Sequence, residues 1–144
     1  MPIQYVIDPN ARTIRTKCVG QLSLSDVIGH FQTLALDPQC TGHLNVFLDL
    51  SEASSLPDGR EIQAVVTELK KIRPKARFDA CAILATGDAL FGMMRVFEAH
   101  AEAFFRVTHT FRSATEAEAW FASQKLSEDR PRPAGKTAVE PEEV

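Results

Sequence analysis

Two short, nearly unbroken apolar runs govern what this chain can fold into. Leu44-Asn45-Val46-Phe47-Leu48-Asp49-Leu50 is bounded by a Gly and a Ser cluster, and Ala80-Cys81-Ala82-Ile83-Leu84-Ala85 ends at Thr86-Gly87. Aliphatic runs of this length between turn residues mark strands buried on both faces. Between them Ile62, Val65, Val66, Leu69 and Ile72 form one stripe, with Glu61, Gln63, Glu68, Lys70 and Lys71 on the solvent side, as in an amphipathic helix. Strand, helix and strand in that order predict parallel neighbours in a sheet covered by helices.

The remaining segments extend the pattern. Ile3-Gln4-Tyr5-Val6-Ile7 and residues 13–19 flank Asp8-Pro9-Asn10-Ala11, turn chemistry that reads as an antiparallel hairpin. Arg15 and Lys17 alternate with Ile14, Thr16 and Cys18, so one face of the second strand is expected to be exposed or covered by something polar. Ser23 and Ser25 offer caps to a first helix carrying Val27, Ile28, Phe31, Leu34 and Ala35, which ends before Asp37-Pro38. Residues 51–58 read as a loop, and Gly87-Asp88 opens a third helix running to about His100, with Asp88 as its expected N-cap. Phe105, Val107, His109 and Phe111 alternate with polar residues like a strand near a sheet edge. Ser113-Ala114-Thr115-Glu116 is a capping box for a last helix that contributes Ala117, Trp120 and Phe121. The expected order is β-β-α-β-α-β-α-β-α.

Composition narrows the function classes. A net charge of −3 supplies no basic footprint for a nucleic-acid backbone, and no apolar run approaches the roughly 20 residues of a spanning helix. Without a basic and apolar leader pattern at the start, the expected location is cytoplasmic. Cys18, Cys40 and Cys81 are odd in number and lack a CxxC pair, so reduced thiols are expected, Cys81 as a small buried hydrophobe. His30, His43, His100 and His109 lack the spacing of a zinc site. No Gly-x-Ser-x-Gly elbow, phosphate-binding loop or dinucleotide fingerprint occurs. The expectation is a non-enzyme with no cofactor, metal or nucleic-acid partner. From Ser127 onward the chain holds Pro131, Pro133 and Pro141, and the stretch carries −2 of the total −3. Residues 1–126 are therefore expected to form the domain and residues 127–144 a flexible acidic tail.

The segment from about Ile3 to Phe121 resembles the SpoIIAA-like family, relatives of the STAS domains of anti-sigma-factor antagonists and anion transporters. The resemblance is carried by the opening hairpin, Leu48-Asp49-Leu50, the run from Ala85-Thr86-Gly87-Asp88 through Phe91-Gly92-Met93-Met94-Arg95-Val96-Phe97, and the closing Ala117-Glu118-Ala119-Trp120-Phe121. It implies an α/β fold, a mixed sheet of about five strands with helices mainly on one face, and a non-catalytic role in binding proteins or apolar ligands. In STAS antagonists a phosphorylatable Ser sits in an Asp-Ser-Ser-Gly type turn before the second helix. This sequence departs from that pattern: the turn reads Leu56-Pro57-Asp58-Gly59, with Ser54 and Ser55 offset from the Gly, which argues against a phosphoswitch.

The third helix is the candidate site. Leu90, Met94, Phe97 and Ala101 make a core stripe, but Phe91, Met93 and Val96 lie beside it, so the apolar arc exceeds one packing face. The surplus fits either a wide contact with the sheet and a neighbouring helix or a pocket or patch. The binding residues expected are Leu56, Pro57, Phe91, Met93, Met94, Arg95 and Phe97, with Arg95 at the rim and Gly92 allowing close approach. The partners expected are an apolar, lipid-like molecule or membrane surface, or, through the same surface, a protein partner or second copy.

Overall fold

The computed structural model describes residues 2–56, 59–72 and 75–124. Pro57 and the segment 127–144 expected as a tail lie outside the described residues. The order is β1 (Ile3–Asp8), β2 (Thr13–Gln21), α1 (Leu24–Leu36), β3 (Gly42–Ser55), α2 (Ile62–Ile72), β4 (Ala76–Leu84), α3 (Asp88–Ala101), β5 (Val107–Phe111) and α4 (Ala114–Ser123). The five strands form one mixed sheet in sequence order. β1 and β2 are antiparallel, and every later neighbour is parallel, because each crosses through a helix.

The hairpin turn follows from local chemistry. Asp8 Oδ1 accepts the backbone N–H groups of Asn10 and Ala11, and Arg12 takes a left-handed φ of 57°. The Arg12 carbonyl then meets the Asn45 N–H at 2.9 Å, joining the turn to β3.

Period two sorts each strand between two layers. On one face Ile14, Leu34, Leu44 and Ile72 form a core with α1 and α2, and Cys18, Leu50, Cys81, Ile83, Leu90 and Met94 continue it under α3. On the other face Phe47, Ala82 and Leu84 meet Ala117 and Phe121 of α4. Three helices therefore share one side and α4 covers the other. The polar face of β2 lies on the α4 side, where Arg15 makes two hydrogen bonds to Glu118 at 2.9 and 2.8 Å and Lys17 pairs with Glu52 at 2.6 Å.

Three boundaries differ from the sequence reading. β3 runs on through Ser55, although its Ser-rich end resembles a loop. Asp49 Oδ1 accepts the Ser51 N–H and hydroxyl there, and after a register shift β2 still offers pairing partners to Glu52, Ala53 and Ser55. β5 begins at Val107, because Phe104 and Phe105 are drawn back to the Ala101 carbonyl at the end of α3. The N-cap of α3 is Gly87, without a side-chain cap bond. Asp88 instead pairs with Arg112, so its carboxylate is directed toward a cation rather than toward the helix amides.

Among the described residues no helix is long and apolar enough to cross a membrane, and no group of three His, Cys, Asp or Glu could hold a metal ion. Cys18, Cys40 and Cys81 are buried free thiols.

Candidate functional site: an apolar cavity under three helices

The side chains of the three-helix face do not fill it. Between the sheet and α1, α2 and α3 lies a cavity of about 140 Å³. Its floor is built from alternate residues of the strands, Ile14, Thr16 and Cys18 on β2, Val46, Leu48 and Leu50 on β3, and Cys81 on β4. Its roof comes from Val27, His30, Phe31 and Leu34 of α1, Val65 and Leu69 of α2, and Met93, Met94 and Phe97 of α3. Leu56 reaches it from beyond the end of β3.

Helix placement explains the space. α1 packs on α2, whereas α3 packs on β5. The floor carries Thr16, Cys18 and Cys81, short side chains that leave space above the sheet. α1 is fixed at its start by a reciprocal capping box, in which the Ser23 hydroxyl accepts the Asp26 N–H and the Asp26 carboxylate accepts the Ser23 N–H. That start sets the rotation that brings Val27, His30, Phe31 and Leu34, at spacings of three, four and seven, over the sheet.

The lining holds no charged side chain among the described residues. Burial, assisted by the negative charge of Asp49, pushes the Cys18 thiol up to about 12. Burial, with a contribution from Glu98, pushes Cys81 up to about 12 as well. Both therefore stay protonated and are poor nucleophiles near neutral pH. Burial lowers His30 to about 4, so its imidazole is neutral. Its ring sits edge-on to Tyr5 at 5.5 Å and tilted against Phe31 at 5.2 Å. Tyr5 donates its hydroxyl hydrogen bond to Asp37 at 2.6 Å. Burial and that bond raise Tyr5 to about 12.

Of the binding residues expected from sequence, Leu56, Met93, Met94 and Phe97 come together around this cavity. Phe91 and Arg95 do not border it. Phe91 is half-buried against the core under α3, and its ring is covered by the Arg112 guanidinium at 4.1 Å. Arg95 points to solvent and pairs with Glu98 at 3.6 Å. Pro57 lies outside the described residues. At Gly92 no other part of the chain comes near the position of the missing Cβ. Val96 is largely exposed. Sequence reasoning missed the α1 side of the cavity and its imidazole. The signal was available: His30 occupies the same helical stripe as Val27, Phe31 and Leu34.

A second, polar hollow of about 360 Å³ lies among residues that include His43, Arg77, Asp79, Glu102 and Arg106. Its buried carboxylate, Asp79, is already paired with Arg106 at 2.9 Å, which leaves the apolar cavity as the better candidate.

No protein-family model matches the sequence, and no curated protein matches it. Solved structures do. An uncharacterized protein of the DUF3478 family with a SpoIIAA-like fold, from Shewanella loihica PV-4, superposes with a TM-score of 0.54 at 18% identity, covering 83% of this chain and 93% of its own. An anti-sigma factor antagonist from Mycobacterium paratuberculosis gives 0.48 at 8% identity over 84% of this chain and 95% of its own. The unphosphorylated anti-sigma factor antagonist SpoIIAA gives 0.47 at 15% identity over 82% and 94%. The architecture is that of a mixed α/β domain with an antiparallel leading hairpin. On the Shewanella superposition, the fold is SpoIIAA-like.

Proposed function

We propose that this protein is a non-catalytic binding module that holds a compact apolar, lipid-like ligand between its sheet and its three-helix layer. The observation that carries this reading is the cavity of about 140 Å³, whose lining among the described residues holds no charged side chain. A cavity of about 150 Å³ lined by aliphatic and aromatic residues binds benzene-sized molecules, and Met93 and Met94 are unbranched and can repack around an irregular guest. A non-catalytic role is consistent with thiols that burial holds protonated. The test is native mass spectrometry and solvent extraction of the purified protein. A stoichiometric apolar molecule is the expected result, and an empty protein that takes up no apolar probe contradicts the reading.

A second reading, a regulator that binds a protein partner, a second copy or a membrane surface through α3, is favoured by the exposure of Val96 on that helix. A Val96→Asp change would then abolish the association in sedimentation or vesicle flotation and leave the circular dichroism unchanged. Persistence of the association in the variant contradicts it.

A further inference from the structure

We propose that the His30 imidazole is the polar anchor of the cavity, and that the ligand is a small apolar molecule bearing one uncharged hydroxyl. This rests on the reading of the cavity as a ligand site and adds the chemistry of the ligand's polar end.

Among the described residues, four polar side chains border the space: Thr16, Cys18, His30 and Cys81. The two thiols are weak donors and weak acceptors. Thr16 lies in the sheet floor and is buried. His30 sits in the helical roof and carries two nitrogens on a rigid ring. Its neighbour Tyr5 cannot compete for the ligand through its hydrogen, which goes to Asp37 at 2.6 Å. The edge-on contact with Tyr5 and the tilted contact with Phe31 fix the plane of the imidazole.

A neutral imidazole has one N–H donor and one bare nitrogen acceptor. A hydroxyl group on the ligand matches it, accepting from one or donating to the other. A carboxylate or ammonium does not, because the lining among the described residues offers no opposite charge and burial of an unpaired ion is strongly disfavoured. The volume of about 140 Å³ suits a single ring or a short branched chain.

The experiment titrates the full chain with benzene, phenol and benzoate by calorimetry, and follows the His30 ring nitrogens by NMR. Phenol is expected to bind about three- to tenfold tighter than benzene, the worth of one net hydrogen bond, and benzoate not to saturate. The His30 nitrogen shifts should move with phenol and not with benzene. His30→Phe should abolish the preference for phenol, and His30→Gln should restore part of it. Equal affinity of the wild-type protein for benzene and phenol, saturable benzoate binding, or phenol binding with unmoved His30 nitrogens would each overturn the proposal while leaving the cavity a binding site. Failure of every probe, benzene included, would overturn both. The nitrogen shifts are read on the unmodified protein, so the test stands even if a variant does not fold.

Discussion

The two faces of the sheet solve the same packing problem differently. Beneath α4, Ala82 and Ala117 are fully buried, and Phe47 meets Phe121 edge to face at 5.3 Å. The small residues let the helix approach, and the aromatic pair fills the remaining volume. Arg15 closes the margin, its guanidinium 4.9 Å from the Phe47 ring and 5.3 Å from the Phe121 ring, while it holds Glu118. On the opposite face small residues also occur, but Thr16, Cys18 and Cys81 line a cavity that the three-helix layer leaves open. Small side chains thus make close contact where one helix can descend onto them and a void where it cannot.

The contrast can be broken most severely at Phe121. Phe121→Ala should cost about 3–5 kcal/mol in denaturant unfolding, whereas Met93→Ala, which borders an existing void and is only half-buried, should cost less than half of that. A similar loss at both sites would mean that the two faces are packed alike.

Next in size is the acid response of the three-helix face. His30 has a folded value of about 4, below the unfolded value of roughly 6.5. The unfolded chain therefore binds more protons between these values, and stability falls as pH drops from about 6.5 to about 4, by up to about 3 kcal/mol. Above pH 6.5 this contribution is fully present. Comparing the pH dependence of wild type and His30→Phe isolates it, because Asp37 and Glu118, both lowered by hydrogen-bonded partners, remain in each. Parallel curves would place His30 in water rather than in the cavity.

Added volume should have opposite signs on the two faces. Ala117→Leu overpacks the α4 side and should destabilise by about 1–3 kcal/mol. Cys18→Leu extends into the cavity and should stabilise by about 0.5–2 kcal/mol while displacing the ligand. Thermal unfolding with and without an apolar probe reads both effects. The smallest effect is expected from Glu118→Gln. Both partners of the Arg15 pair are about half exposed, so its loss should change stability by only about 0.2–1 kcal/mol.

Much of the fold was legible in local chemistry. Periodicity located α1, α2 and α3, the Asp8 turn announced the hairpin, and the uninterrupted runs of β3 and β4 identified the strands buried on both sides. Where the reading failed, a tertiary partner had overridden a local preference. The Ser-rich end of β3 resembles a loop, but Glu52, Ala53 and Ser55 pair because β2 runs beside them. Glu116 completes only half of the expected box, with Ser113 accepting its N–H.

The site was half legible for the same reason. Of the surplus residues read on α3, Phe91, Met93 and Val96, only Met93 borders the cavity, where it joins Met94 and Phe97 of the core stripe. Periodicity on one helix could not tell which surplus residues would be covered by another element, as Phe91 is by Arg112. Nor could it show that α1 would supply the facing wall, since that depends on how the helices separate.

The most direct measurement is a methyl-resolved NMR titration of the whole protein with benzene. Saturable shifts at Leu48, Leu50, Met93 and Met94, with Leu84, Ala82 and Ala117 unmoved, are the predicted result. Equal shifts on the two faces, or none at any concentration up to the solubility limit, would contradict the assignment of the three-helix layer as a binding site.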